Sequence, residues 1–267
     1  MNAPEHVPLP DVQSAVDARN IAINRVGVKG LRYPLLVASQ TGAVSTVALV
    51  DMFVALPAER KGTHMSRFIQ VLQQLGKPLG RESLRDLLTE MLRQLDASEG
   101  SIRVQCPFFI SKVAPVSGVQ SLMDYEVVFE ASQSNGRLQV RQKVVVPVTS
   151  LCPCSKEISD YGAHNQRSHV SIDLELGADM PIEAQVRIAE DAASCELWSV
   201  LKRSDEKYVT ERAYDNPKFV EDTVRDIAIA LRRDPRVLAF RVESENFEAI
   251  HNHSAYALIE GERRDAR

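Results

Sequence analysis

The stretch from Leu151 to Val170 reads LCPCSKEISDYGAHNQRSHV and places two thiols and two imidazoles in one segment of loop length. Pro153 fixes its own φ and biases Cys152 toward an extended backbone, so both cysteines are carried on a restrained main chain. The spacing lacks the two-residue spacer and the second cysteine pair of a zinc finger, which argues against a purely structural zinc site. The stretch therefore indicates a reactive or metal-binding loop that the rest of the fold supports.

Strand patterns flank this loop on both sides. Residues 138–148 have a strand pattern after an Asn-Gly turn at 134–137, and residues 168–176 alternate between polar and apolar side chains. Farther out, the chain predicts strands at 21–28, 44–56, 102–113, 123–131, 237–243 and 254–259. Glycine and proline at 30 and 34 are expected to end the first strand. Helices are predicted from Phe68, over 81–95, over 182–201, and from Asn216 to about Arg233.

The order of these elements is two strands, two helices and two strands, followed by the same order again. We therefore predict an α+β protein of two tandem ββααββ modules, each an antiparallel sheet with both helices on one face. Residues 1–20 are expected to form an N-terminal arm, residues 21–133 the first module and residues 134–267 the second module. The sheet faces and edges left uncovered predict self-assembly into a homo-oligomer.

Composition narrows the function classes. The 267-residue chain is 44% hydrophobic and 25% charged, as in an ordinary globular protein, and its formal net charge of -4 gives no reason to expect nucleic acid or an anionic membrane as partner. No apolar run approaches the ~20 residues of a membrane span, so a cytoplasmic location is expected. In that reducing setting the four cysteines indicate chemistry or burial, and Cys106 and Cys195 are predicted to be core residues.

Two further segments carry groups that suit chemistry. The segment NFEAIHNH at 246–253 adds two imidazoles beside a carboxylate. Catalytic metals are commonly held by such side chains from distant segments, although a histidine taken alone is as readily a hydrogen-bonding residue. The segment KGTHMSR at 61–67 offers cations, hydroxyls and backbone N–H groups that suit an anion, and a solvated helix cap is the alternative. The acids near 204–207 and 219–222 complete the candidates, although composition alone does not prefer them to other surface acids.

Three segments together, Lys61 to Phe68, Leu151 to Val170 and Asn246 to Ala257, resemble the type IB GTP cyclohydrolase family. The resemblance spans nearly the whole chain, and its most specific part is Cys-Pro-Cys-Ser followed by Gly-Ala-His-Asn-Gln-Arg. It implies the tunnelling fold (T-fold), with two modules fused in one chain and a homotetramer of stacked barrels. It also implies the conversion of GTP and water to 7,8-dihydroneopterin triphosphate and formate, the entry to folate synthesis.

The resemblance also implies a role for each candidate. One divalent metal, Zn, Mn or Fe(II), would lie between Cys152, His164, Glu206 and His251 and would activate water for attack at C8 of guanine. Cys154 and Glu221 would tune the site or transfer protons, and Cys152 would be both ligand and catalytic residue. Glu248 would accept hydrogen bonds from the guanine N1–H and exocyclic amine. The triphosphate contacts, some of them supplied by neighbouring subunits, would be Lys61, His64, Ser66, Arg67, Arg167 and His169.

Three alternatives accompany this interpretation. A relative in the same family would stop at a cyclic phosphate product, which product mass distinguishes from a triphosphate. A nitrile reductase of the same fold would use a cysteine thioimide and NADPH, and its activity would survive chelation. A non-enzymatic purine- or pterin-binding oligomer would use the cysteines only for a structural or storage metal, which the proximity of Glu248 to His251 disfavours.

Overall fold

The computed structural model describes residues 11–13 and 15–263, and in this part of the chain eight strands form one antiparallel sheet whose spatial order is the chain order. The predicted α+β class with antiparallel strands is therefore confirmed. The strands are β1 Ile23–Ser39, β2 Gly42–Leu56, β3 Gly100–Val113, β4 Gln120–Ser134, β5 Arg137–Leu151, β6 Asn165–Leu176, β7 Val237–Asn246 and β8 Ala255–Glu262. The helices of the described part are α1 Met65–Gln73, α2 Arg81–Leu95, α3 Pro153–Ile158, α4 Ile182–Ala192, α5 Arg203–Asp215 and α6 Val220–Arg233.

The core lies between one face of the sheet and the helices. Val144 is paired with Val127 on β4 and with Ile172 on β6, and all three side chains are buried. They belong to one hydrophobic cluster that also includes Leu88 of α2 and Ile227 of α6. Because alternate residues of a strand point to opposite faces, the other face carries the intervening, largely polar side chains. The helices therefore cover a single face of the sheet.

The predicted Asn-Gly turn between β4 and β5 is confirmed. Asn135 has φ of 52° and Gly136 has φ of 75°, the left-handed conformations that a tight hairpin turn of this kind requires. The turn sets the register in which Ser134 pairs with Arg137, and β5 then runs without interruption to Leu151. The strand that carries the cysteine loop is thus fixed at its start by local turn chemistry.

The expected break in the first strand is wrong. β1 continues through the glycine and the proline, because Gly30 lies with φ of 69° at a register shift between Val28 and Leu31. Pro34 pairs with Val47 of β2, and proline is tolerated there because β1 is an edge strand of the described sheet and needs no donor on its outer side.

The helix predicted over 182–201 is also wrong in its second half. α4 ends at Ala192, and the chain then runs beside the end of β5, where Cys195 exchanges backbone hydrogen bonds with Thr149. The following helix, α5, had no sequence signal because only Asp205 and Ala213 on it are buried. The helix predicted from Asn216 begins later, at Val220, because Asn216 ends α5 and donates its side-chain amide to the carbonyl oxygen of Ala193.

Cys106 and Cys195 are buried free thiols, as predicted. Burial raises the pKa of each to about 11, and the neighbouring carboxylate of Glu196 adds to the shift for Cys195. Because the thiolate is the reactive form, both are inert near neutral pH. Cysteine chemistry in this chain is therefore left to Cys152 and Cys154.

The buried carboxylate of Asp205 anchors the first turn of α5. It accepts hydrogen bonds from the backbone N–H groups of Val116, Ser117 and Lys202 and from the Ser117 hydroxyl, at 2.6–2.8 Å. Burial alone would raise the pKa of Asp205, but these hydrogen bonds outweigh it and hold the pKa well below its ordinary value. The turn between β3 and β4 is thereby tied to α5.

Replacing Asp205 by asparagine should lower the melting temperature by several degrees at pH 7, because an amide cannot accept all four hydrogen bonds and lacks the negative charge. A carboxyl whose folded-state pKa is depressed stabilises the fold above its ordinary pKa of about 4, and this contribution is lost as the pH falls further. The difference between parent and variant in thermal melts should therefore shrink below about pH 4. Glu211→Gln, on the exposed side of α5, is the control, and equal melting of parent and Asp205→Asn at pH 7 would contradict the assignment.

Candidate active site

Four strand ends meet at one end of the sheet, here called the lower end. β5 ends at Leu151 opposite the start of β6 at Asn165, and β7 ends at Asn246 opposite the start of β8 at Ala255. Ser168 pairs with Asn246, so the two hairpins are in register across the β6–β7 ladder. The lower end therefore collects the cysteine loop and the 246–253 segment, although nearly a hundred residues of chain separate them in sequence.

Cys152 and His164 are held together by backbone hydrogen bonds. The Cys152 N–H donates to the His164 carbonyl oxygen at 3.1 Å, and the His164 N–H donates to the Ser155 hydroxyl at 3.3 Å. Cys152 is the N-cap of α3, with Pro153 at the first helical position, and its Sγ accepts from the Ser155 N–H at 3.5 Å. The half-buried thiol and the half-buried imidazole thus emerge from one restrained turn.

The imidazole of His164 is linked to Glu248 through Gln166. Nδ1 of His164 lies 2.9 Å from Oε1 of Gln166, and Nε2 of Gln166 lies 3.4 Å from Oε1 of Glu248. The second carboxylate oxygen, Oε2, is 3.8 Å from the same Nδ1, and both the imidazole and the carboxylate side chains are 13% exposed. The structure therefore brings the predicted metal ligand and the predicted base anchor side by side.

A layer of buried hydroxyl groups lies beneath His164, Gln166 and Glu248. Oγ of Ser150 is 2.7 Å from Oγ of Ser168 and accepts from Nε2 of Gln166 at 3.2 Å. Oγ of Ser194 accepts from the Leu151 N–H at 3.0 Å, and all three serines are at most 3% exposed. Because buried polar groups with satisfied partners rigidify their surroundings, the site rests on a fixed base.

Cys154 and Glu221 lie at the margin of the lower end, and both are exposed. Cys154 is on α3, while Glu221 is in the first turn of α6, shortly after Lys218, whose N–H donates to the Leu151 carbonyl oxygen at 3.1 Å. That bond places the start of α6 next to Cys152. Both predicted proton-transfer groups are therefore near the turn that carries the metal-ligand candidates.

Glu206 and His251 do not join Cys152 and His164 in a metal-binding cluster in the described part of the chain. Glu206 is exposed in the first turn of α5. It lies eight residues, and so about 12 Å of helix, before Tyr214, whose carbonyl oxygen accepts a hydrogen bond from Lys156 of α3. His251 is exposed in the loop between β7 and β8, stacked on His253 with ring centroids 5.0 Å apart. In residues 11–13 and 15–263, no three side chains of histidine, cysteine, aspartate or glutamate are arranged to hold a metal.

Arg167 and His169 point to the other face of the sheet. They alternate along β6 with the buried Ser168, and both are exposed. The His169 ring makes an edge-to-face contact with Phe247 at 4.9 Å, and the Phe247 N–H donates to the Arg167 carbonyl oxygen at 3.1 Å. A cation and an imidazole therefore border the lower end on the face opposite the Cys152–His164 turn.

The 61–67 segment lies far from this site within one chain. It follows the end of β2, where Arg67 donates to the Gln94 carbonyl oxygen at 3.0 Å, and Nε2 of His64 is 3.3 Å from a carboxylate oxygen of Asp11. Lys61 and Ser66 are exposed. The pairing of β3 with β4 and of β4 with β5 places Gly100, near this segment, at the same end of the sheet as Leu138. From Leu138, β5 runs about 43 Å, at ~3.3 Å per residue, to Leu151. The segment and the cysteine loop are therefore at opposite ends of the sheet.

The sequence did not indicate roles for Gln166, Ser150 and Ser155. Gln166 was inside the quoted stretch, and its strand parity with Ser168 was the available signal that it faces the covered side of the sheet. Ser150 and Ser155 carried no signal beyond being next to the cysteines. Gln166 and Ser150 act through contacts across β5 and β6, and Ser155 acts through its hydrogen bond to His164 within the loop, and only the fold supplies these contacts.

The donor chemistry of the Cys152–His164 turn fits a divalent metal. A thiolate and an imidazole are ligands that Zn and Fe accept, and a nearby carboxylate suits Mn as well. Gln166 Oε1 can only accept, so Nδ1 of His164 carries the proton and donates a hydrogen bond to it, which leaves Nε2 with a free lone pair. This is the arrangement in which histidines usually bind metals, with one nitrogen donating to a fixed acceptor and the other nitrogen on the metal.

No helix in the described residues is both long enough and apolar enough to cross a membrane.

Comparisons with known proteins point to one family. A model described as "Type I GTP cyclohydrolase folE2" matches residues 9–257. The chain is 59% identical over 258 residues to GTP cyclohydrolase FolE2 of Ralstonia nicotianae, covering 97% of this chain and 96% of that protein. It is 60% identical over 259 residues to GTP cyclohydrolase FolE2 of Burkholderia multivorans, with the same coverage.

Solved structures of low sequence identity share the fold. The uricase of Arthrobacter globiformis superposes with a TM-score of 0.51 at 11% identity, covering 91% of this chain and 94% of that one. A hyperthermostable mutant of Bacillus sp. TB-90 urate oxidase gives a TM-score of 0.53 at 10% identity, covering 90% and 99%. At such identities the likeness concerns the arrangement of strands and helices alone.

Proposed function

The chain belongs to the type I GTP cyclohydrolase FolE2 family and is a GTP cyclohydrolase, and we propose that its reaction centre is the Cys152–His164 turn together with Glu248. The reaction converts GTP and water to 7,8-dihydroneopterin triphosphate and formate, in folate biosynthesis. The observation that carries this assignment is the 3.8 Å approach of the Glu248 carboxylate to the His164 imidazole, beside a half-buried thiol. A group that can read a purine and groups that can hold a metal are thus next to each other.

Glu248 is the proposed guanine anchor. Its carboxylate is 13% exposed, so it is open to a ligand while being partly withdrawn from water. Two carboxylate oxygens match the two donors on the guanine edge, the N1–H and the exocyclic amine. A purine held by that edge would have its imidazole ring directed away from the carboxylate, toward groups on the adjoining elements.

Cys152 and His164 are the proposed first two metal ligands. When bound, a divalent metal supplies activation of water at neutral pH, which hydrolysis at C8 requires. The fixed Cys152–His164 backbone pairing supports this assignment, because ligands held in advance lose little freedom on binding. Glu206 and His251 stay predictions as the remaining ligands: His251 is three residues from Glu248, and Glu206 would have to come from α5 of the same or a neighbouring chain.

Cys154 and Glu221 are the proposed proton-transfer groups. Hydrolysis of a purine ring needs a proton delivered to the departing ring nitrogen and another removed from the attacking water. Both side chains are exposed at the margin of the lower end, where they could exchange protons with solvent between turnovers. Arg167 and His169, on the opposite face of β6, are proposed triphosphate contacts.

The complete site is proposed to form between chains. About 43 Å of β5 separates the levels of the 61–67 segment and the cysteine loop, so one GTP cannot contact both within a chain. A neighbouring copy would bring its Lys61, His64, Ser66 and Arg67 to the triphosphate. The outer strands of the described sheet, β1 and β8, offer edges for such assembly, and we propose a homotetramer of the tunnelling fold.

The two-module interpretation is part of this proposal. The first half of the described chain has the order ββααββ, which supports it. The second half also begins and ends with paired strands, but α3 lies between β5 and β6, and three helices lie between β6 and β7. We interpret α3 and α5 as additions to the repeated unit that shape the lower end of the sheet.

Metal removal tests the proposed function. Chelator-treated protein should lose turnover of GTP, and addition of Zn, Mn or Fe(II) to separate samples should restore it, with formate release and pterin fluorescence as the two readouts. Product mass should show a triphosphate, since a cyclic phosphate would identify the related cyclohydrolase instead. Full activity after chelation, or no product with any of the three metals, would overturn the proposal.

A further inference from the structure

The side-chain amide of Gln166 bridges the two halves of the proposed site. Its Oε1 is 2.9 Å from Nδ1 of His164, and its Nε2 is 3.4 Å from Oε1 of Glu248 and 3.2 Å from Oγ of Ser150. The inference that follows rests on the proposed function, because one neighbour is a proposed metal ligand and the other is the proposed guanine anchor.

The hydrogen-bond partners determine which way the Gln166 amide faces. If the amide were reversed, its oxygen would face the Glu248 carboxylate, and two acceptors would oppose each other without a proton between them. In the observed orientation the nitrogen donates toward Glu248 and Ser150 while the oxygen accepts from His164. The Glu248 carboxylate, at 3.8 Å from Nδ1, is beyond hydrogen-bonding distance, so Gln166 is the acceptor for that proton.

The same amide is supported from below. Ser150, which accepts from Nε2 of Gln166, is 3% exposed and is in turn hydrogen-bonded to Ser168, which is 1% exposed. A side chain with partners at both ends and on a buried base has little freedom to reorient. Gln166 is therefore able to impose geometry on its two neighbours.

We propose that Gln166 is a positioning residue that fixes the His164 tautomer for metal binding through Nε2 and simultaneously orients Glu248 toward the guanine edge. It touches neither the metal nor the reacting carbon. One side chain would thereby couple the placement of the metal ligand to the placement of the base. Glutamine suits both tasks because a single amide carries an acceptor and a donor in one plane.

Two substitutions separate the two tasks in the full-length protein. Gln166→Glu keeps an acceptor for His164 but removes the donor to Glu248 and adds a like charge beside it. Gln166→Met keeps the length of the side chain and removes both functions. Zn and Mn affinities are measured by competition with a chromogenic chelator in the absence of nucleotide, and KM and kcat for GTP are measured at saturating metal. Thermal melting checks that each variant is folded.

We expect Gln166→Glu to bind metal within about threefold of the parent and Gln166→Met to bind roughly 10- to 100-fold more weakly. Both variants should raise the KM for GTP on the order of tenfold, with a smaller change in kcat. Parental metal affinity in Gln166→Met, equal weakening in both variants, or an unchanged KM in both would overturn the inference. A parent that binds metal but yields no pterin would overturn the proposed function, while the affinity series would still decide the role of Gln166.

Discussion

Replacing Cys152 by alanine is expected to reduce both metal occupancy and kcat/KM for GTP by at least roughly 100-fold, because loss of even an indirect metal contact commonly costs 10- to 100-fold. The thiol is half-buried at the N-cap of α3 and contributes only one long hydrogen bond to the turn, at 3.5 Å. Its removal should therefore leave the fold intact. Metal content by elemental analysis and initial rates by pterin fluorescence are the measurements.

Cys106→Ala is the matched control for this prediction. It makes the same chemical change at a core position of β3, where the thiol is 2% exposed. It should lower stability by about 1 kcal/mol and leave metal content unchanged. Near-parental occupancy and rate in Cys152→Ala would show that the proposed ligand is the wrong cysteine, and the exposed Cys154, two residues away, would be the next to replace.

The architecture was predictable where local chemistry determines structure. The Asn-Gly turn at 135–136 and the alternating residues of β6 are signals that act over a few residues, and both are present in the structure. The predicted ends of helices and strands were wrong where tertiary contacts determine those ends. Asn216 has the side chain of a helix N-cap, yet it ends α5 because the backbone of Ala193 offers its amide a better-placed partner.

α5 shows why a helix without an apolar stripe escapes sequence analysis. Its buried Asp205 accepts hydrogen bonds from the turn between β3 and β4, about ninety residues earlier in the chain. A pattern of apolar residues cannot report an interaction between a carboxylate and distant backbone N–H groups. The same limit applies to the segment after Ala192, which is joined to the end of β5 by backbone hydrogen bonds and by the Ser194 hydroxyl.

The candidate site residues could be named from the sequence, but their arrangement could not. Motif segments identified Cys152, His164 and Glu248, and the order of the strands explains their meeting, since β5, β6 and β7 are consecutive neighbours. The support beneath them was not predictable, because strand parity tells only which face of the sheet Gln166 and Ser150 lie on, and their hydrogen bonds depend on cross-strand pairing. To predict the distance between the 61–67 segment and the cysteine loop, one would need the register of the whole sheet.

The distance between the 61–67 segment and the cysteine loop leads to an expected result for mixed oligomers. One variant, Cys152→Ala, lacks the proposed metal ligand, and a second, Lys61→Ala with Arg67→Ala, lacks two of the proposed triphosphate cations. Each should be nearly inactive as a pure preparation. If a site takes the cysteine loop from one chain and the 61–67 segment from another, random co-assembly should restore on the order of one quarter of parental activity, because about one site in four then receives both intact parts.

The restoration is measured by co-expressing the two variants with different affinity tags, purifying the oligomers that carry both tags, and assaying pterin formation. The control pairs Cys152→Ala with Glu248→Gln. Both altered residues lie at the lower end of the sheet of the same chain, so these two variants should not complement by this route. Absence of activity in the first mixed oligomer, with both tags present, would contradict a site shared in this way. In that case the triphosphate would have to be held by groups at the lower end itself, and Arg167 and His169 on the exposed face of β6 are the cationic and imidazole side chains already there.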